Sequence, residues 1–273
     1  MGLQNTVLPD DIRSLSTRMR RRIIEQSLES NVGHIGSALS ITDILAVLWT
    51  EVMRNPGGDD PDRDRFILAK GHAALALYSI LRERGQLSEE QFHTYCKDNT
   101  LLNAHPEYGL PSVEFATGSL GQGLSVGCGI AYGLRQRGSP GRVFVLVSDA
   151  ECNEGQVWEA VMFAAHQRLK NLVAIVDLNG MQAMGSTKSI LDLASLSNRF
   201  AAFGWQSIEV EGHEHAALQS AFHAGLVDPD RPTVFVARTA LGKGVSFMEN
   251  RLEWHYRNLT PALAQTALQE MEV

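Results

Sequence analysis

The sequence predicts an α/β protein, a doubly wound and mostly parallel sheet flanked by helices. Three observations predict it. Val143 to Val147 (VFVLV) and Asn171 to Leu178 (NLVAIVDL) are unbroken apolar runs, as expected of parallel strands buried on both faces. A stretch with helical character from Gln156 to Leu169 separates them, making a βαβ unit of ordinary length. Elsewhere strand and helix patterns alternate, which selects a layered α/β architecture.

The elements follow in order. Ile12, Leu15, Met19 and Ile23 recur at steps of three and four, so Asp11 to Ser30 is an amphipathic helix. The basic run Arg18-Met19-Arg20-Arg21-Arg22 within it is expected to be a solvated face. A second helix is expected from Thr42 to Met53, a short strand from Arg65 to Ala69 and a helix from Ala73 to Arg84. Ser88 with Gln91 forms a capping box that opens a helix through Lys97. Asp98 to Leu120 is long and irregular, and loops of that length are usually functional or disordered. Gly121 to Arg137 is expected to be helical despite Gly123, Gly127, Gly129 and Gly133. Each interior glycine costs about 1 kcal/mol against alanine, so another backbone should pack closely there, within the chain or across a subunit contact. Trp205 to Val210 and Thr233 to Ala237 complete the strands.

The 273 residues suit one large α/β domain, residues 1–273, with an N-terminal helical segment. Hydrophobic residues are 44% and charged residues 20%, values that exclude a disordered chain. A net charge of −7 argues against a nucleic-acid partner. No apolar run approaches the roughly 18 residues of a membrane span, and the N-terminus lacks a signal-peptide pattern. Cys96, Cys128 and Cys152 match no zinc or redox spacing, which points to a reducing cytoplasm.

In open α/β sheets, ligands bind beyond the carboxyl ends of the strands. The two clearest strands run into Ser148-Asp149-Ala150-Glu151 and Asp177-Leu178-Asn179-Gly180. A carboxylate and an amide oxygen one βαβ repeat apart suit a hard cation such as Mg²⁺ or Ca²⁺, which brings phosphate oxygens with it. The Ala150 N–H is a candidate donor to such a phosphate. On spacing alone the pair is a weak signal, and turn and cap residues are the commoner reading.

SDAECNEGQVWEA followed by NLVAIVDLNG resembles the thiamine diphosphate fingerprint. GHIGS (Gly33 to Ser37), RDRFILAKGHAALALYSIL (Arg63 to Leu81), NAHPE (Asn103 to Glu107) with TGSLGQGLSVGCGIA (Thr117 to Ala131), and LGKGVSFMEN with WH (Leu241 to His255) resemble transketolase in family order. The resemblance covers only the N-terminal, diphosphate-binding domain. It implies that Asp149 and Asn179 are the side-chain ligands of Mg²⁺ or Ca²⁺, with the carbonyl of Met181 as the third. It implies that Gly118, Ser119 and Leu120 lie against thiamine diphosphate, with Ala150 and Glu151 in the same cofactor-binding set. His34, His72, His105 and His255 match the histidines that converge on the diphosphate and the substrate's reacting end. Imidazoles there can donate to phosphate and hydroxyls and can move protons. The other histidines, His93, His166, His213, His215 and His223, are expected at the surface or in packing. Glu154 and Glu159 match carboxylates that relay protons at the subunit interface. Lys243, between two glycines, is either a diphosphate or phosphate contact or part of a generic loop.

The resemblance also implies what is lacking. The glutamate that activates the aminopyrimidine, the aromatic residues that stack on it and the arginines that hold a substrate phosphate belong to the family's next domain. A separate C-terminal subunit is therefore expected, with an α2β2 heterotetramer and ketose and aldose substrates. Two departures stand out. The usual GDG reads Ser148-Asp149-Ala150, and Tyr256-Arg257 follows His255 where many relatives carry a smaller residue, a change expected to reshape the acceptor channel. Other readings remain: the α-subunit of a 2-oxo-acid dehydrogenase, a deoxyxylulose-phosphate synthase, a transketolase-like enzyme with a specialised or carrier-bound acceptor, or a non-catalytic paralogue. A nicotinamide-binding domain is disfavoured, because no GxGxxG follows the first strand.

Overall fold

A computed structural model describes residues 11–110, 112–227 and 230–271. Its helices are α1 (Ile12–Ser30), α2 (Ile35–Ser40), α3 (Thr42–Val47), α4 (Ala74–Glu83), α5 (Glu89–Phe92), α6 (Gln122–Gln136), α7 (Gly155–His166), α8 (Thr187–Leu191), α9 (Leu196–Ala202), α10 (His215–Gly225) and α11 (Pro261–Glu270). The strands are β1 (Arg65–Leu68), β2 (Val143–Ser148), β3 (Leu172–Leu178), β4 (Met181–Gln182), β5 (Gly185–Ser186), β6 (Gln206–Glu211) and β7 (Thr233–Arg238). Five of them form one sheet in the order β1-β2-β3-β7-β6, and every pairing in it is parallel. β4 and β5 make a small antiparallel ribbon.

The sheet divides the core in two. Phe66, Leu68, Phe144, Leu146, Val173 and Ile175 pack against α1 to α4 and α10. Ile67, Val143, Val145, Val147, Ala174 and Val176 pack against α6, α7 and α9. Successive strand residues point to opposite faces, so burial on both sides requires the unbroken apolar runs seen in the sequence.

Several boundaries differ from expectation for physical reasons. Helix forms earlier than Thr42, because α2 begins directly after His34, and Leu48–Val52 closes α3 with a π-type turn. The capping box at Ser88 and Gln91 is present, yet α5 stops at Phe92. Cys96 and Asn99 adopt positive φ, and the Cys96 N–H turns to the Leu102 carbonyl at 2.8 Å. The basic run of α1 is not a solvated face: Arg18 and Arg22 pair with Glu83, and Arg20 pairs with Asp43.

The glycines of α6 divide into two kinds. A Cβ on Gly123 would lie 2.4 Å from the Ala69 Cβ, and one on Gly127 would lie 2.5 Å from a Val145 methyl. These two let the helix press onto the sheet. Gly129 and Gly133 are exposed and meet nothing within 4 Å.

Candidate active site

The site lies at the carboxyl edge of the sheet. β2 and β3 run in register, with Ser148 beside Asp177, so Asp149 and Asn179 leave the sheet at the same edge. The loops after β1, β2 and β3 then surround a cavity of about 470 Å³.

Four histidines from four segments meet in this cavity. His34 lies immediately before α2 in a left-handed conformation, φ 63°. Non-glycine residues rarely adopt it, and such strain persists only where surroundings hold it. Here Gly33 does so: a Cβ on it would sit 2.3 Å from the Tyr256 carbonyl oxygen, so only glycine admits this approach. His72 follows β1 in a 3₁₀ turn, Gly71–Ala73. His105 lies on the irregular loop, which Tyr78 and Thr117 tether by hydroxyl bonds to the Asn103 carbonyl (3.1 Å) and the Leu68 carbonyl (2.8 Å). His255 closes a short turn, Leu252–His255. The His34 ring lies 5.3 Å from His72, 6.3 Å from His105 and 5.6 Å from His255, centroid to centroid.

Burial in the cavity disfavours the charged form of His34, His72 and His255. Burial, then the charge of Lys70, holds His72 well below its ordinary value. Burial, followed by His34, lowers His255 to about 4. Burial, then His105, also lowers His34. The Nδ1 atoms of His34 and His255 are buried with no hydrogen-bond partner among the described residues. Buried polar atoms are seldom left so, which marks the cavity as built for a polar ligand.

Asn179 and Met181 line the floor, and Asp149 lies behind it. Asp149 instead lines a smaller cavity of about 280 Å³ that shares Asn153 with the first. Its carboxylate accepts from the Ala150 and Gly180 N–H groups, each at 2.9 Å. Burial, then neighbouring Asp177, pushes Asp149 up to about 7. A buried carboxylate in that state gains from a cation. The carboxylate, amide oxygen and backbone carbonyl are hard oxygen donors, so the residues fit Mg²⁺ or Ca²⁺ with a diphosphate.

Other expected residues divide. Gly118, Leu120, Ala150 and Glu154 line the cavity. Ala150 has φ −60°, which alanine adopts without strain, and its N–H already serves Asp149. Ser119 is not among the lining residues. Glu151 is turned inward and fully buried: it accepts from the N–H groups of Gly121 (2.7 Å) and Ser148 (3.3 Å), tying the glycine-rich loop to β2. Glu159 is exposed on α7 away from the cavity. Lys243 faces a different cavity, with Arg20 and Asp43, and lies 3.4 Å from Glu249.

Some residues escape a reading of the sequence. Lys70 and Asp177 form a fully buried ion pair, 2.5 Å apart, with Lys70 among the residues that line the histidine cavity. Tyr256 stands out in the sequence for its size, but not for the 5.1 Å between its ring and that of His34. Nor are His213 and His215 simple packing residues, since both bond Asp43, at 2.8 and 2.9 Å.

Residues 12–268 match the family described as transketolase, thiamine diphosphate binding domain. The chain is 36% identical to one of the named subunits of apulose-4-phosphate transketolase from Phocaeicola vulgatus, over 94% of this chain and 92% of that one. It is 35% identical to the 6-deoxy-6-sulfo-D-fructose transketolase subunit SqwG of a Clostridium species, over 96% of each. Among solved structures, transketolase from Campylobacter jejuni aligns with a TM-score of 0.89 and 26% identity, over 96% of this chain. The chain spans only 43% of that protein's length.

Proposed function

Because the chain belongs to the transketolase family, in its thiamine diphosphate-binding domain, we propose that it is the N-terminal subunit of a two-component transketolase. Its reaction is transfer of a two-carbon ketol unit from a ketose or ketose phosphate to an aldehyde. The observation that carries this reading is the meeting of His34, His72, His105 and His255 above a floor of oxygen donors. Asp149, Asn179 and the Met181 carbonyl are the residues to hold Mg²⁺ or Ca²⁺. Gly118 and Leu120 are the residues to lie against the cofactor. When bound, thiamine diphosphate supplies the carbanion and electron sink for carbon–carbon cleavage.

The residues of this chain do the rest. Neutral His72 and His255 each offer one N–H to an anionic oxygen and keep one lone pair for a proton. His34 and His105 face the same space and are suited to hold and deprotonate sugar hydroxyls. The irregular loop and the 252–256 turn wall the cavity and limit water.

A second chain completes the enzyme in this reading. The relatives spanned nearly end to end are named as subunits, which supports a separate partner. That partner carries the pyrimidine-activating glutamate, in an α2β2 assembly. Exposed Tyr132, Met162 and Phe163 on α6 and α7 offer an apolar face beside exposed Glu154 and Glu159. The Tyr132 and Phe163 rings lie 6.3 Å apart, so that face is continuous. A face of this kind suits a subunit contact. No described helix is long and apolar enough to cross a membrane. The three cysteines are unpaired, which suits the cytoplasm.

Tyr256 favours a specialised acceptor as a second reading. It is 58% exposed at the cavity rim, and its ring lies 4.7 Å from that of His255.

The test is direct. The chain is purified with its candidate partner and titrated with thiamine diphosphate and Mg²⁺, and two-carbon transfer is assayed. Binding with transfer is expected. An assembled pair that takes up no cofactor sinks the reading, and binding without transfer from any ketose favours the specialised or the non-catalytic reading.

A further inference from the structure

The hydrogen bonds beneath the floor run in one forced direction. Lys70 and Asp177 are both fully buried. The Lys70 ammonium can only donate, and it reaches the Asp177 Oδ2 at 2.5 Å and the Ser37 carbonyl at 3.2 Å. The Asp177 carboxylate can only accept. Its Oδ2 also takes the Ser40 hydroxyl at 2.8 Å and the Asn179 Nδ2 at 2.8 Å, while its Oδ1 takes the Thr239 hydroxyl at 2.5 Å. Asn179 must therefore turn its NH₂ inward. The Met181 N–H independently demands the same orientation, since it donates to the Asn179 Oδ1 at 3.0 Å. Amide orientation is read from partners of this kind, and here both agree.

We propose that the Lys70–Asp177 pair is a positioning device that fixes which end of the Asn179 amide is presented at the cavity floor. The inference rests on the cofactor reading above. It explains why this ligand position holds an amide: a carboxylate at 179 would face the Asp177 carboxylate, which Lys70 and Ser40 already hold as an acceptor. A buried ion pair is weak support for stability, because apolar groups of similar volume often replace it at little cost. Orientation is what apolar groups cannot supply.

The experiment uses the full chain assembled with its partner subunit. Mg²⁺ is titrated at fixed thiamine diphosphate by calorimetry, and melting temperatures are measured without ligands. The variants are Asn179→Asp and the double substitution Lys70→Met with Asp177→Leu. The double variant is expected to fold but to melt below wild type, because Leu at 177 leaves the Thr239 hydroxyl and the Asn179 Nδ2 without their acceptor, and to bind Mg²⁺ at least fivefold more weakly. Asn179→Asp adds a charge that by simple attraction favours the cation, yet it is expected to bind at least tenfold more weakly. A folded double variant with wild-type affinity, or Asn179→Asp binding as tightly as wild type, overturns the proposal. If the double variant fails to fold, Asn179→Asp decides alone. Wild-type protein that binds no Mg²⁺ is a separate result, which overturns the functional reading and the inference with it.

Discussion

The rings of His72 and His255 stack with centroids 5.3 Å apart and planes 28° apart. They come from opposite halves of the sequence. Burial lowers both, so neither readily charges beside the other.

A pH dependence follows for His255. Its folded value of about 4 lies below the ordinary value of 6.5, so protons favour the unfolded chain between the two. Its contribution is fully present above about pH 6.5 and is lost as pH falls through about 4, on the order of 3 kcal/mol. Urea unfolding from pH 8 to 4, compared between wild type and His255→Asn, isolates this share. Stability curves that stay parallel in acid are the result that refutes it.

Gly33→Ala should be costly. The added methyl meets the Tyr256 carbonyl, which is backbone and cannot swing away. Overpacking of this kind costs about 1–3 kcal/mol. Displacement of His34 and Tyr256 should also lower kcat by more than tenfold. A variant with wild-type melting and turnover contradicts the close packing.

Asp43→Asn tests a cluster outside the candidate site. Asp43 is buried, which raises its pKa, but His213, His215 and Arg20 together hold it well below its ordinary value. Its stabilising share is therefore present above about pH 4 and lost as pH falls below that. Loss of the charge leaves Arg20 underpaired, at a cost of about 3–5 kcal/mol. Chemical denaturation at pH 7 measures it, and a change under 1 kcal/mol refutes it.

Tyr256→Gly should open the rim without touching the floor. Mg²⁺ affinity is expected to remain unchanged, while KM for the acceptor shifts at least threefold and the ranking of aldehyde acceptors changes. Identical acceptor ranking in both proteins rules out a selective role for the phenol ring.

Much of this is legible in the sequence, and the reasons are local. Continuous apolar runs mark β2 and β3, and strand ends mark Asp149 and Asn179. The histidines are legible because each lies inside a recognisable motif. What escapes depends on direction or distance. Nothing in the sequence says that Glu151 points inward to Gly121 and Ser148. Lys243 follows Gly242 and precedes Gly244, both at positive φ, and that turn carries it toward Glu249 and away from the histidines. Lys70 beside Asp177, and Asp43 beside His213, are contacts between remote segments with no periodic signature.

The strand order has a consequence for biosynthesis. Among the described residues β6 pairs only with β7, and β7 is inserted between β3 and β6. On a ribosome, β6 therefore emerges before its neighbour exists, and β3 keeps an open edge until Thr233 to Arg238 follow. His255 comes later still, so the histidine cavity cannot form on a nascent chain that lacks this last stretch. Until then the growing polypeptide carries an unpaired apolar edge, the surface on which chaperones act and from which aggregation starts.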